Sequence, residues 1–158
     1  MGQIWLPPNT FPLLETYEIR TLMSPSSNGT EPEIVPIARG LPASPGIVIG
    51  AIALTAEDAI QRAESGEEVI LVRRQTLASD VPAMMAAKGV ISLLGGLTCH
   101  AAIVARDLRK PCLVGCSNLR LLEDRMEAGS VGKEVQLGPN DRIQLDANSG
   151  EISWLRSD

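Results

Sequence analysis

Aromatic side chains are scarce: Trp5, Phe11, Tyr17 and Trp154 are the only four in 158 residues. A core must therefore be built from Leu, Ile, Val, Met and Ala, and the aromatic platform on which single-stranded nucleic acid stacks is missing. Basic runs are missing as well. Fourteen Lys and Arg stand against nineteen Asp and Glu, a net charge of −5 with the signs interspersed, which argues against nucleic acid and anionic membrane surfaces as partners. Nowhere do ~18 consecutive apolar residues occur, as a membrane span requires, and no basic segment leading into an apolar run opens the chain. These absences predict a soluble, cytoplasmic protein. Three cysteines, Cys99, Cys112 and Cys116, are an odd number and do not suggest a disulfide framework. With His100 they form a nominal zinc set, but adjacent Cys99 and His100 point apart on a helix, so no metal site is expected.

What is present divides at about residue 39. Residues 1–38 hold Leu6-Pro7-Pro8-Asn9-Thr10 and Ser24-Pro25-Ser26-Ser27-Asn28-Gly29-Thr30-Glu31-Pro32, turn-forming runs that predict a lead-in and flexible linker with one short ordered piece near Leu13 to Met23. Residues 39–158 alternate strand and helix signals. Ile47 to Leu54 reads as a buried strand, and Thr55 as the N-cap of a helix to about Ser65. Glu68 to Arg73 is a second strand. Ser79 or Asp80 caps a short helix with Pro82 in its first turn, ending before Gly89. Val90 to Leu93 and Cys112 to Gly115 are further strands, and turn residues between Ser130 and Trp154 predict hairpins. This mixture implies a compact α/β domain with strands in two layers and helices on one face.

The single histidine stands in Gly95-Gly96-Leu97-Thr98-Cys99-His100-Ala101-Ala102-Ile103-Val104-Ala105-Arg106, where a glycine turn opens into a helix. Ala101, Val104, Ala105 and Leu108 recur at helical spacing and predict one buried face, with Arg106 and Arg109 pointing elsewhere and Pro111 ending the helix. First-turn amides have no intrahelical partners and, with the helix dipole, favour an anion. A neutral imidazole there offers a nitrogen lone pair to phosphorus. His100 is therefore the candidate phosphoryl acceptor, with Gly95, Gly96, Thr98 and Cys99 as the candidate phosphate site. The glycines admit backbone, Thr98 supplies a hydroxyl and a cap, and Cys99 is small.

The same string resembles the phosphohistidine signature of the phosphoenolpyruvate-utilising enzymes, whose swivelling domain carries phosphate between two distant sites. Gly40-Leu41-Pro42-Ala43-Ser44-Pro45-Gly46 is similar to the opening of that domain, and Val69 to Gly89, with Arg73, Thr76 and Asp80, to the middle of its pyruvate phosphate dikinase version. Lys110 to Cys116 and Asp146 to Ile152 extend the likeness. The resemblance implies a swivelling β/β/α fold, a phosphorylated His100, and Thr98 in contact with phosphate. It further implies partner domains, in cis or in trans, that bind nucleotide and phosphoenolpyruvate or pyruvate. Mg2+ would sit at those partner sites and no cofactor on this domain. Leu94 stands where the family usually carries arginine, which leaves open a second reading: a non-catalytic binding or regulatory module that kept the fold.

Overall fold

The computed structural model describes residues 32–130 and 133–157. The expected ordered piece near Leu13 to Met23 lies outside the described residues. Among those described, eleven strands and three α-helices form one compact unit, Glu33–Arg156. Its chain order is β1 Glu33–Arg39, β2 Leu41–Ser44, β3 Ile47–Ala53, α1 Ala56–Glu64, β4 Val69–Arg73, α2 Val81–Ala86, β5 Gly89–Ser92, α3 His100–Leu108, β6 Cys112–Val114, β7 Leu119–Leu121, β8 Met126–Ser130, β9 Lys133–Leu137, β10 Arg142–Asp146 and β11 Glu151–Arg156.

Local chemistry explains the helix boundaries. Thr55 caps α1 by accepting the Asp58 amide at 3.1 Å, and Glu57 and Asp58 sit in its first turn, where carboxylates favour the positive helix end. Asp80 precedes α2, but its carboxylate accepts the Leu77 amide at 2.8 Å instead of capping that helix. The last turn of α3 closes with Arg109 in the left-handed region (φ 54°, ψ 40°), and the Arg109 and Lys110 amides return to Arg106 and Ala105 carbonyls. This is a Schellman ending built on a residue other than glycine.

Strands β3, β4, β5 and β6 run parallel, and each successive pair is joined through one of the three helices. β10 adds antiparallel to β3, then β11 and β1 follow; β2 closes the opposite edge, giving the order β1-β11-β10-β3-β4-β5-β6-β2. β7, β8 and β9 form a separate antiparallel meander. Alternation along β4 shows how the layers meet. Ile70 and Val72 enter one core with Leu119, Met126, Ala128 and Leu137 of the meander, while Val69 and Leu71 enter another with Ala59, Met84, Ala101 and Ala105 of the helices. The large sheet is buried on both faces, which is why its parallel strands are continuous apolar runs. The architecture is β/β/α, as the sequence and its resemblance imply.

Two boundaries and one strand differ from expectation. Residues 33–39 are β1, paired with β11, so the linker predicted to run to residue 38 gives way to sheet at Glu33. The hairpin region also begins earlier than Ser130, because β7 and β8 start at Leu119 and Met126. β2 carries no sequence signal beyond its place before Pro45. Both outer strands hold a proline next to a register shift, at Pro36 and Pro42; a residue lacking an amide proton is tolerated at a sheet edge and discourages further pairing.

Candidate phosphoryl site

The candidate site lies beyond the carboxyl ends of β4 and β5, a position where open parallel sheets commonly bind ligands. Pairing continues past the strands themselves, with the Leu93 and Leu94 amides donating to the Arg73 and Arg74 carbonyls at 3.0 Å each. Ser92 Oγ, fully buried, donates to the Leu94 carbonyl at 2.8 Å. The chain then turns at Gly95, with φ +103°, where an added Cβ would stand 2.7 Å from Cys99 Sγ. Gly96 has open space at the same test, and its carbonyl accepts the Cys99 amide at 3.0 Å. Cys99 is the N-cap of α3 and has no side-chain cap bond. The cap expected of Thr98 is thus one residue later, because the backbone turn between Gly96 and Cys99 carries the chain into the helix without a hydroxyl.

His100 opens α3 and is partly buried. Its Nδ1 lies 3.0 Å from Thr76 Oγ1, and Thr76, in the loop after β4, is only 3% exposed. Gln75, Thr76, Ser92, Leu94, Gly95, Cys99 and His100 enclose a cleft of about 170 Å³. That is below the roughly 300 Å³ at which small-molecule pockets begin, a size in keeping with a phosphoryl group. Of the sequence-predicted residues, His100, Gly95 and Cys99 meet at the cleft. Gly96 and Thr98 are exposed on the outer part of the loop and do not line it.

Sequence reasoning gave Thr76, Gln75 and Ser92 no role in the site. Gln75 and Thr76 come from the loop after β4 and Ser92 from the end of β5, and the likeness of the Val69 to Gly89 segment, which includes Thr76, was the one available signal. Arg106 was expected only to lie off the buried face of the helix. Its Nε donates to the Ala43 carbonyl at 2.8 Å, and its NH2 group donates to the Leu97 carbonyl. Leu94 and Leu97 are about half exposed, giving the site an apolar rim.

The cysteines separate into two kinds. Cys112 and Cys116 are buried core residues, and burial pushes both thiols up to about 12. Cys99 is partly exposed and lines the cleft. Among the described residues no cluster of three or more His, Cys, Asp or Glu is arranged to hold a metal ion. Among those residues, too, no helix is long and apolar enough to cross a membrane.

Comparison with known proteins identifies the family. Residues 65–150 match the family model described as PEP-utilising enzyme, mobile domain, and the chain belongs to that family. A pyruvate, phosphate dikinase of Rhizobium meliloti is 39% identical over 116 residues, covering 73% of this chain and 13% of its own length. Pyruvate, phosphate dikinase 2 of Zea mays is 43% identical over 116 residues, again 73% of this chain and 13% of its own. The chain therefore spans about an eighth of the length of these curated relatives. A solution structure of Enzyme I aligns with 24% identity and a TM-score of 0.40, over 58% of this chain and 32% of that one.

Proposed function

We propose that this domain is a phosphoryl carrier: His100 is transiently phosphorylated and shuttles phosphate between an ATP-side site and a phosphoenolpyruvate/pyruvate-side site on partner domains, in cis or in trans. The observation that carries this reading is the setting of the histidine, with Nδ1 3.0 Å from the Thr76 hydroxyl and the ring on a small cleft at the start of α3. In the reactive tautomer Nδ1–H donates to Thr76 Oγ1 and the lone pair stays on Nε2. The Nε2–P bond forms as the donor's P–O bond breaks, and the electron pair leaves on the donor oxygen; passing the group to the acceptor reverses these roles. Charge spread over the three transferred oxygens is met by first-turn amides of α3. Gly95 and Cys99 line the cleft, while Gly96 and Thr98 approach from outside it. Mg2+ belongs in this reading to the partner sites, and the domain needs no cofactor of its own. Nucleic acid and membrane have no part in it, and three unpaired cysteines suit the reducing cytoplasm.

Leu94, apolar and 48% exposed on the cleft, favours the second reading, a non-catalytic module. One experiment separates the two. The full chain is mixed with phosphoenolpyruvate, Mg2+ and a separately prepared dikinase barrel domain, with His100→Ala as control, and its intact mass is measured. A single acid-labile phosphoryl group absent from the variant supports the carrier. No phosphorylation, with the barrel shown to be active on another carrier, assigns the chain to the non-catalytic class.

A further inference from the structure

Between Gly95 and Thr98 the loop is held by little. Nothing surrounds Gly96 within 4 Å of an added Cβ, and Leu97 and Thr98 are exposed. Within the loop the Cys99 amide bonds to the Gly96 carbonyl, and the outer peptide has one side-chain tether among the described residues: the Arg106 guanidinium on the Leu97 carbonyl. The same guanidinium is anchored on its other side to the Ala43 carbonyl in β2, at 2.8 Å through Nε. Arg106 thus spans two carbonyls, one on a sheet strand 63 residues away and one in the loop that precedes the histidine. Its own backbone lies on α3, the helix that His100 opens.

We infer that Arg106 is the positioning residue of the phosphoryl site, acting through the Leu97 carbonyl to hold the Gly95–Cys99 loop in its reactive shape. This rests on the carrier reading above. A planar, permanently charged fork suits the task because it bonds two acceptors at fixed angles, whereas an ammonium group is a single point of charge without that geometry. Fixing the Leu97 carbonyl orients the peptide that follows it, and with it the approach of the chain to the Cys99 cap and the first-turn amides. The loop is then ordered before the donor arrives, and the cost of ordering it does not fall on the transfer step. Glycine at positions 95 and 96 leaves the backbone free to take this shape, and freedom of that kind needs a tether.

The test compares Arg106→Ala, Arg106→Lys and wild type in the full chain, using phosphoenolpyruvate, Mg2+ and the active barrel domain. Initial rates of His100 phosphorylation are measured over a range of barrel concentration, with thermal unfolding recorded alongside. Arg106→Ala is expected to lower the saturating rate roughly ten- to hundredfold, in keeping with loss of charged hydrogen bonds. Arg106→Lys is expected to recover only part of it, and added guanidinium ion at millimolar concentration to restore the alanine variant. A wild-type rate in Arg106→Ala overturns the inference. So does a rate loss that guanidinium fails to restore and that follows the fall in melting temperature across the variants, since the residue would then be merely structural. Failure of wild type to accept phosphate from an active barrel is a different result: it removes the carrier reading itself, and this inference with it.

Discussion

Thr76 Oγ1 and His100 Nδ1 lie 3.0 Å apart, 24 residues distant in sequence, one in the loop after β4 and the other at the start of α3. The bond occupies one ring nitrogen and leaves the other for the transfer proposed above. Thr76→Val removes the hydroxyl at nearly constant volume, so the rate of His100 phosphorylation should fall about tenfold, the worth of one hydrogen bond. Thr76→Ser should retain most of it. Nitrogen chemical shifts of the imidazole would report the accompanying loss of tautomer preference.

The two glycines should separate stability from activity. Gly95→Ala meets Cys99 atoms at 2.7 and 2.8 Å and must hold φ +103°, so denaturant unfolding should show a loss of about 1 to 3 kcal/mol. Gly96→Ala meets nothing and should stay within about 0.5 kcal/mol of wild type. If phosphate or its donor approaches over Gly96, that second variant should nonetheless accept phosphate more slowly.

Leu94 lines the cleft with half its surface exposed. A guanidinium at this position can form charge-assisted bonds to a phosphoryl group, worth roughly 1.5 to 3 kcal/mol. Leu94→Arg is accordingly expected to raise the phosphorylation rate ten- to hundredfold, roughly. An unchanged rate in the partner-domain assay would remove the missing charge as the limit on transfer.

Arg109 occupies left-handed backbone at the end of α3, where an L side chain costs roughly 1 to 2 kcal/mol and glycine is preferred. Arg109→Gly should therefore raise stability by about 1 kcal/mol, seen as a melting temperature a few degrees higher. It lies at the opposite end of the helix from His100 and should leave phosphoryl acceptance unchanged.

The thiols should label unequally. A thiolate is the reactive form, and burial holds Cys112 and Cys116 up to about 12, so at pH 8 both remain protonated as well as inaccessible. Native protein is expected to take up one equivalent of a thiol reagent rapidly, at partly exposed Cys99, and the other two only on unfolding. Because the shift is upward, raising the pH toward 12 should be needed before the buried pair ionises in the folded state. Peptide mapping after labelling would identify the sites, and rapid reaction at Cys112 would contradict the packing of β6.

How far the chain could be read before its structure follows from which interactions are local. β3 to β6 and the helices between them were legible because a strand buried on both faces is a continuous apolar run, and Thr55, Pro82 and Pro111 mark boundaries by their own backbone chemistry. β1, β2 and β7 were not. Pro36 interrupts the first, the second holds Pro42 and pairs with a segment some seventy residues away, and the third sets Arg120 between two leucines in a three-residue strand without a continuous apolar run. The same division runs through the site. Gly95, Cys99 and His100 lie in one string, and a glycine turn before an alanine-rich helix shows them together.

By itself the sequence determined the layered α/β class, the glycine turn and the helix that follows it, all consequences of composition, periodicity and local backbone preference. Only the tertiary structure decided that Thr76 would meet the imidazole, that Arg106 would turn back to Ala43 and Leu97, and that Gly96 and Thr98 would stay outside the cleft. Those relationships depend on parallel strands brought side by side by crossovers, and on residues up to 63 positions apart. No local pattern encodes the angle at which a helix settles on its sheet; the packing of its buried alanines against β2, β5 and β6 sets it, and with it the direction in which each of its side chains points.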